Sequence, residues 1–464
     1  MRKLRPGMPA PRHARRRERG GAAAILLLLM AIVLGLGIAY GIFARHFDWW
    51  PNPLLNRAVT AADALWEKLR PRDRYDDTIL FLHSRHPRSG VLRHDDARAS
   101  AGYTLFTSGH APAAFLIDMD GNVVHQWHFP FSQAWPDPPH VDAPLGDGFV
   151  FWRKAHLFPN GDVIAVFEAS GDTPYGYGMI KVDKDSKLLW RYAERTHHDV
   201  DVGPDGRVYA LVHHFEHAPL PGAPLLHPPY LADSLVVLSP DGVELQRISI
   251  PHAFAGSPYE RLLHTVGEHH PSWDAWHTNG VDAVTPEQAE IFPFLDANDV
   301  LISIRSLDLL AAISTISGKV SWAMTGPWHR QHDPDLLPNG HLMVFDNTGH
   351  AGPGGLSRII EIDPDDARIA WRYPGSAAEP FETFGKGSQQ TLPNGNVLIT
   401  ESYQGRLFEI DRDGTIVWEF VSPFRAASSP ERIAVVCWGQ RHGASDLPFL
   451  TPPFPATPLL ILPR

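Results

Sequence analysis

From about residue 103 the chain alternates apolar and polar residues with period two, in short runs broken by Asp, Asn, Pro and Gly. One recurring unit is LIDMDGNVVHQW, IKVDKDSKLLWRY, VVLSPDGVELQRI, TISGKVSWAM, EIDPDDARIAWRY and EIDRDGTIVWEF. The other is HLFPNGDVIAVFE, DVGPDGRVYALVH, DLLPNGHLMVFDN and QTLPNGNVLITES. Each reads as two strands about a tight Asp/Asn-Gly turn. The two units alternate, and Trp322, Trp371 and Trp418 stand 49 and 47 residues apart, one four-stranded sheet each. Sheets repeated at ~40–50 residues cannot bury both faces alone and must pack side by side about an axis. The pattern therefore predicts an all-β, six-bladed β-propeller over 103–445. The first blade, 103–128, is completed by the C-terminal RIAVVCWGQ, and the others begin near 150, 197, 276, 331 and 387. Segments 214–232 and 250–276 read as Pro/His-rich insertions, and 446–464 as a C-terminal tail.

Ahead of the repeats the pattern changes. Residues 1–20 form a basic tail with eight Lys/Arg and one acid, and GAAAILLLLMAIVLGLGIAYGIFA (21–44) runs 24 residues without a charge. At ~1.5 Å per residue such a helix crosses a hydrocarbon core of ~30 Å. The run is longer than a signal peptide's apolar stretch and lacks a small-x-small cleavage site. It reads as a single-pass anchor, with the basic flank in the cytoplasm and the body in the periplasm or outside the cell. Residues 45–102, with spaced apolar positions and Pro stops, read as a short helical stalk.

Charge narrows the partners. The chain carries −11 and the tail +7, which leaves −18 on the remainder; that excludes a basic nucleic-acid-binding surface. The single cysteine, Cys437, forbids an intrachain disulfide and reads as a small core residue.

His198 and His332 each precede the Gly of a turn by eight residues, and His277 opens the corresponding strand of another blade. Three blades thus aim an imidazole at one end of a central channel. Strand alternation puts Asn279 on the face of His277. Arg305 lies amid apolar residues in VLISIRSLD, a place that calls for an anion. Arg153 and Gly387 occupy the same frame in two other blades, and His156 is three residues out of register. His, Asn and Arg without convergent carboxylates make a poor divalent-metal site, because an adjacent guanidinium repels a cation. They make a good oxyanion site, and one neutral imidazole could attack sulfur or phosphorus. No metal and no cofactor is called for. The alternative is that these histidines only fill polar channel positions of a propeller that binds an anionic or aromatic ligand, or a protein, without turnover. His213, His214, His217, His264, His269 and His270 read as solvated rim residues. A quinone-dependent dehydrogenase propeller would need a calcium carboxylate site that the sequence does not offer.

QHDPDLLPNGHLMVFDN, SRIIEIDPDDARIAWRYP, GSQQTLPNGNVLI and GRLFEIDRDGTIVWEF, with HTNG and VLISIRSLD before them, resemble the bacterial arylsulfate sulfotransferases over roughly 103–425. The resemblance implies a six-bladed propeller that moves a sulfuryl group from a phenolic sulfate ester to a phenolic acceptor through a sulfated histidine. It implies that His332 is the nucleophile, that His277, Asn279 and Arg305 hold the sulfuryl oxygens, and that His198 is a further active-site histidine. The N-terminal β-sandwich and the disulfide of the characterised branch have no counterpart here.

Overall fold

A computed structural model describes residues 14–46, 50–51, 79–267, 272–427 and 429–450. The chain divides into two units, Met1–Leu69 and Arg70–Arg464. In the first, a helix runs Ala14–His46, and its Ile25–Ala44 stretch has the length and hydropathy of a membrane span or a signal sequence. Most of the expected stalk, 47–49 and 52–78, lies outside the described residues, as do His269, His270 and 451–464.

The second unit is built of antiparallel sheets. In chain order five of four strands begin at Tyr103, Val150, Thr196, Thr278 and His332, and one of five begins its repeat at Ser388. The starts fall within two residues of the predicted ones. The C-terminal strand Val436–His442 pairs with Tyr103–Ser108, as the repeat count anticipated. Central strands such as Val163–Ala169, Asp299–Ile304 and Val397–Glu401 are buried along their whole length, whereas the outermost, such as Arg368–Tyr373, alternate exposed and covered. Central strands have a neighbouring sheet on both faces; the outer ones meet water on one.

Of six apolar clusters, five lie between sheets that follow one another in the chain. Leu301 and Leu310 meet Leu342 and Ile360, for example, and Ile164 and Val166 meet Val208 and Val236. One cluster joins the last sheet to the first, with Leu398, Leu407 and Trp418 against Phe106 and Phe115. Burial of each such Leu, Ile or Phe is worth about 1.5–3 kcal/mol. The periodic tryptophans explain themselves here. The indole N–H of Trp127 donates to the Gly161 carbonyl, Trp190 to Pro240, Trp371 to Arg412 and Trp418 to Met119, each a turn of the next sheet, at 2.9–3.0 Å. Trp322 departs from this and stacks on Phe294.

Two expectations need correction. The helical stalk does not extend to 102: Phe81–His83 pairs with Ser429–Ala434, and Gly90–His94 adds a fifth strand beside Ile416–Val421. These short strands lack a repeat motif, and the outer edge they cover supplies the hydrogen bonds that hold them. The 214–232 insertion is shorter than it reads, because Val208–Glu216 and Tyr230–Leu238 pair through to Glu216 and Tyr230. Within the expected 250–276 insertion, the described residues 250–267 and 272–276 bury Phe254, Leu263, Val266 and Trp276 against the sheet.

Candidate active site

The eight-residue frame seen in the sequence marks a backbone device. The register of the first strand slips between Trp152 and Lys154, His197 and Val200, Thr278 and Gly280, and His332 and Asp335. A bulge releases its residue from the ladder and re-aims the side chain. The released residues include Arg153, His198 and Asn279, so Asn279 reaches its position by a bulge rather than by plain alternation. His198, His277, Arg330, Asp333 and Lys386 have φ between 48° and 60°, a region that costs a non-glycine residue about 1–3 kcal/mol. Gly387, the frame residue of the last sheet, has φ 99°, and a Cβ there would lie 2.6 Å from the Phe345 ring.

His332 is buried, and its tautomer follows from its neighbours. Asn347 Nδ2 donates to the Thr383 and Lys386 carbonyls at 2.9 and 2.8 Å, so its Oδ1 must face His332 Nδ1, 2.7 Å away. Nδ1 also faces the Arg330 carbonyl at 3.2 Å. With two acceptors before it, Nδ1 carries the proton and Nε2 the lone pair. The Lys386 amide N–H points at that Nε2 from 3.2 Å. Burial, then the charges of Arg305 and Arg153, push the His332 pKa well below its usual value, outweighing the Asn347 hydrogen bond. The ring is therefore neutral at pH 7.

The other predicted residues gather around it. The His198 and His277 rings meet edge to face, centroids 4.9 Å apart. Asn279 Nδ2 donates to the carbonyl of Gln331, next to His332, at 2.8 Å, while its buried Oδ1 has no partner among the described residues. Arg305 sits at the start of a 3-10 turn just past its strand, half-buried, with its backbone N–H on the His277 carbonyl at 3.2 Å. Its guanidinium has no hydrogen-bond or ion-pair partner among the described residues; the charged groups that act on it are Arg330 and Asp274. His156 stays apart, edge-on to Phe158.

Carboxylates do converge, contrary to the sequence reading. Asp274 Oδ2 lies 2.5 Å from His277 Nδ1. Burial favours the neutral acid of Asp274, but His277, by charge and hydrogen bond, outweighs it and holds the carboxyl below its usual range. Glu168 accepts the His198 backbone N–H at 2.8 Å and faces Lys386 Nζ at 3.7 Å. Asp274 comes from an insertion without a motif, and Glu168 from the end of the repeat unit HLFPNGDVIAVFE. Arg153 Nη1 donates to the Cys437 carbonyl at 2.6 Å. Arg153, Arg305, Arg330 and Lys386 thus bring four cations to this region against Asp274 and Glu168. Tyr175 packs edge-on to His198 and His197 and tilts over His277.

Behind His198 lies a second group. His213, expected on the rim, is buried, because its strand continues through it; His214, His217 and His264 are exposed as expected. His197, His213 and Asp233 bring ligand atoms within 4.8 Å of one another. The two imidazoles, however, stack with centroids 4.2 Å and planes 17° apart. Near-parallel rings cannot both turn in-plane lone pairs on one ion at ~2.0–2.1 Å, and His213 Nε2 already accepts the Gly176 N–H at 3.1 Å. The group does not fit a metal.

Among solved structures the chain is similar to a Bacteroides caccae protein of unknown function, with 14% identity, TM-score 0.45, and 73% of this chain and 98% of that one covered. It is also similar to a streptogramin B lyase (12%, TM-score 0.39, 75% and 88%) and to the WD40 β-propeller domain of Doa1 (12%, TM-score 0.37, 74% and 87%). No curated protein matches it. The sequence profile described as Arylsulfotransferase (ASST) matches residues 154–423, more than half of the chain and the whole stretch from Lys154 to beyond Arg305 and His332. The chain belongs to the arylsulfotransferase family.

Proposed function

We propose that the protein is a membrane-anchored aryl sulfotransferase in which His332 carries the sulfuryl group between a phenolic sulfate donor and a phenolic acceptor. The observation that carries this reading is the fixed tautomer of a buried, neutral His332 beside the cations of Arg305 and Arg153. Nε2 attacks sulfur in line, the S–O bond to the aryl group breaks, and the aryl oxide leaves with the electron pair. Charge spreads over the sulfuryl oxygens, where Arg305, Asn279 and His277 supply donors; each removed donor costs about 10²–10³ in rate. The Lys386 amide, displaced from Nε2 by the new N–S bond, is free to donate to a sulfuryl oxygen. Asp274 balances a positive charge placed on the His277 ring and orients that ring as a donor to the sulfuryl oxygens. The acceptor then attacks the same sulfur and returns His332 to its starting state. Tyr175 and Tyr403 supply aromatic surface for a phenyl ring.

The reading includes a six-bladed propeller of residues 103–445, supported by the six clusters and by the indole bonds that run from the last sheet to the first. It also includes an anchor in the 21–44 helix, with the N-terminus cytoplasmic and the body periplasmic. The test is His332→Asn. The variant should fold and lose all transfer from a 4-nitrophenyl sulfate donor to a phenol. Retained acceptor-dependent release of nitrophenolate would overturn the assignment, and a wild-type protein that binds without turnover would favour a non-catalytic binding propeller.

A further inference from the structure

The transfer reaction poses a proton problem that the residues around the sulfuryl group do not solve. The acceptor phenol must lose a proton, and His198 is the imidazole nearest to His277 that has no carboxylate within hydrogen-bond reach of its own ring; Glu168 Oε1 is 3.7 Å from Nδ1. Its Nδ1 instead meets Nδ1 of His197 at 2.9 Å. Two imidazole nitrogens at that distance share one proton. On the far side of His197, buried Nε2 makes no hydrogen bond among the described residues and lies 3.5 Å from Asp233 Oδ1, close enough for a small ring rotation to bring the two into contact. Asp233 is held by the Thr278 N–H on its second oxygen at 2.8 Å, and His197, Asp233 and Thr278 are all buried.

Resting on the function proposed above, we propose that His197 and Asp233 form a proton relay behind His198, storing the acceptor's proton on a buried carboxylate. His198 Nε2 takes the phenol proton as the phenol oxygen bonds to sulfur. His198 Nδ1–H passes to His197 Nδ1, and His197 Nε2–H passes to Asp233. Each imidazole gains one proton and gives up another, changing tautomer but not charge; the carboxylate ends as the acid. The reverse shift returns the proton to the aryl oxide leaving the next donor, so the relay is neutral over one turnover. The environment requires such a route. Burial, then the charge of His277, lowers the His197 pKa to about 3 and pushes that of His198 well below its usual value, so neither ring can keep the proton as an imidazolium. Burial and the charge of Asp274 raise the Asp233 pKa to about 7, so the carboxyl can hold or release a proton at neutral pH. His197 and Asp233 act through His198 and are relay residues rather than groups that touch substrate.

The test is Asp233→Asn assayed with acceptor phenols of graded acidity. Acceptors protonated at the assay pH should lose about 10²-fold in kcat/KM, while acceptors already ionised should react at the wild-type rate. Equal losses for both classes would mark a structural role and overturn the relay. No loss with either, in an enzyme that still transfers through His332, would overturn the relay alone; absence of transfer by the wild type would overturn both readings. Wild-type protein in mixed H2O and D2O gives a second test that needs no variant. A curved proton inventory, from several protons in flight, is expected with protonated acceptors, and a linear one contradicts the relay.

Discussion

Asn347 is the residue on which the chemistry of His332 turns, and two replacements separate what it does. In Asn347→Leu, a near-isosteric change, Nδ1–H loses its 2.7 Å acceptor and keeps only the 3.2 Å Arg330 carbonyl. The carbonyls of Thr383 and Lys386 each lose a donor as well. A buried group left unsatisfied costs about 1–3 kcal/mol. The loss should appear as a lower Tm and, through the freed ring, as a fall in kcat of about 5- to 150-fold, the equivalent of ~1–3 kcal/mol. Asn347→Asp keeps an acceptor for Nδ1–H but sets a carboxylate beside the ring. A negative charge there favours the imidazolium and raises the His332 pKa, so the acid limb of kcat/KM should move to higher pH than in the wild type. The assay is nitrophenolate release from 4-nitrophenyl sulfate at saturating phenol, across pH 4–8. A Leu variant that folds and keeps wild-type kcat, or an Asp variant with an unmoved acid limb, would refute the claim that Asn347 sets the nucleophile's tautomer.

Stability should fall on the acid side for a specific reason. Burial lowers the pKa of His110 and His197 to about 3 and, with the charge of Lys154, that of His156 to about 4. A folded-state value below the unfolded ~6.5 leaves stability unaffected above pH 6.5 and costs up to about 1.4 kcal/mol per pH unit and per group as pH drops from 6.5 toward the folded value. Thermal melts from pH 7 to 4.5 should therefore show a steep decline, which a His110→Phe variant makes shallower; an identical slope would contradict it. Gly387→Ala should lower Tm and activity together, because the new Cβ meets Phe345 at 2.6 Å and strains the turn that presents Lys386; unchanged melting and activity would show that the ring yields freely.

The sequence reveals repeats well and bulges poorly. Asp/Asn-Gly turns and a recurring Trp carry a strong signal, because each is imposed by backbone geometry or by an indole bond to the next sheet. The frame that links His198 and His332 was visible for the same reason, although its cause, a bulge, was not. The residues around His332 that sequence reading missed come from unlike places. Asn347 directly follows a central strand, Asp274 lies in an insertion, and Glu168 lies within an apolar run. Only register and bulges bring these separated positions together, and neither is a property of local pattern. Arg153 and Lys386 left a faint trace, one in the frame and one beside Gly387. His213 was misjudged because the hairpin that buries it extends beyond its recognisable turn, and Gly90–His94 because a strand added to a sheet edge takes its hydrogen bonds from the partner rather than from a motif.

The central claim is a covalent bond between sulfur and one nitrogen. Wild-type protein mixed with an aryl sulfate and no acceptor, quenched and digested, should yield a peptide containing His332 heavier by one SO3 group, which disappears when a phenol is added before quenching. Transfer that proceeds at full rate with an unmodified His332, or with the added mass on another residue, would contradict the account.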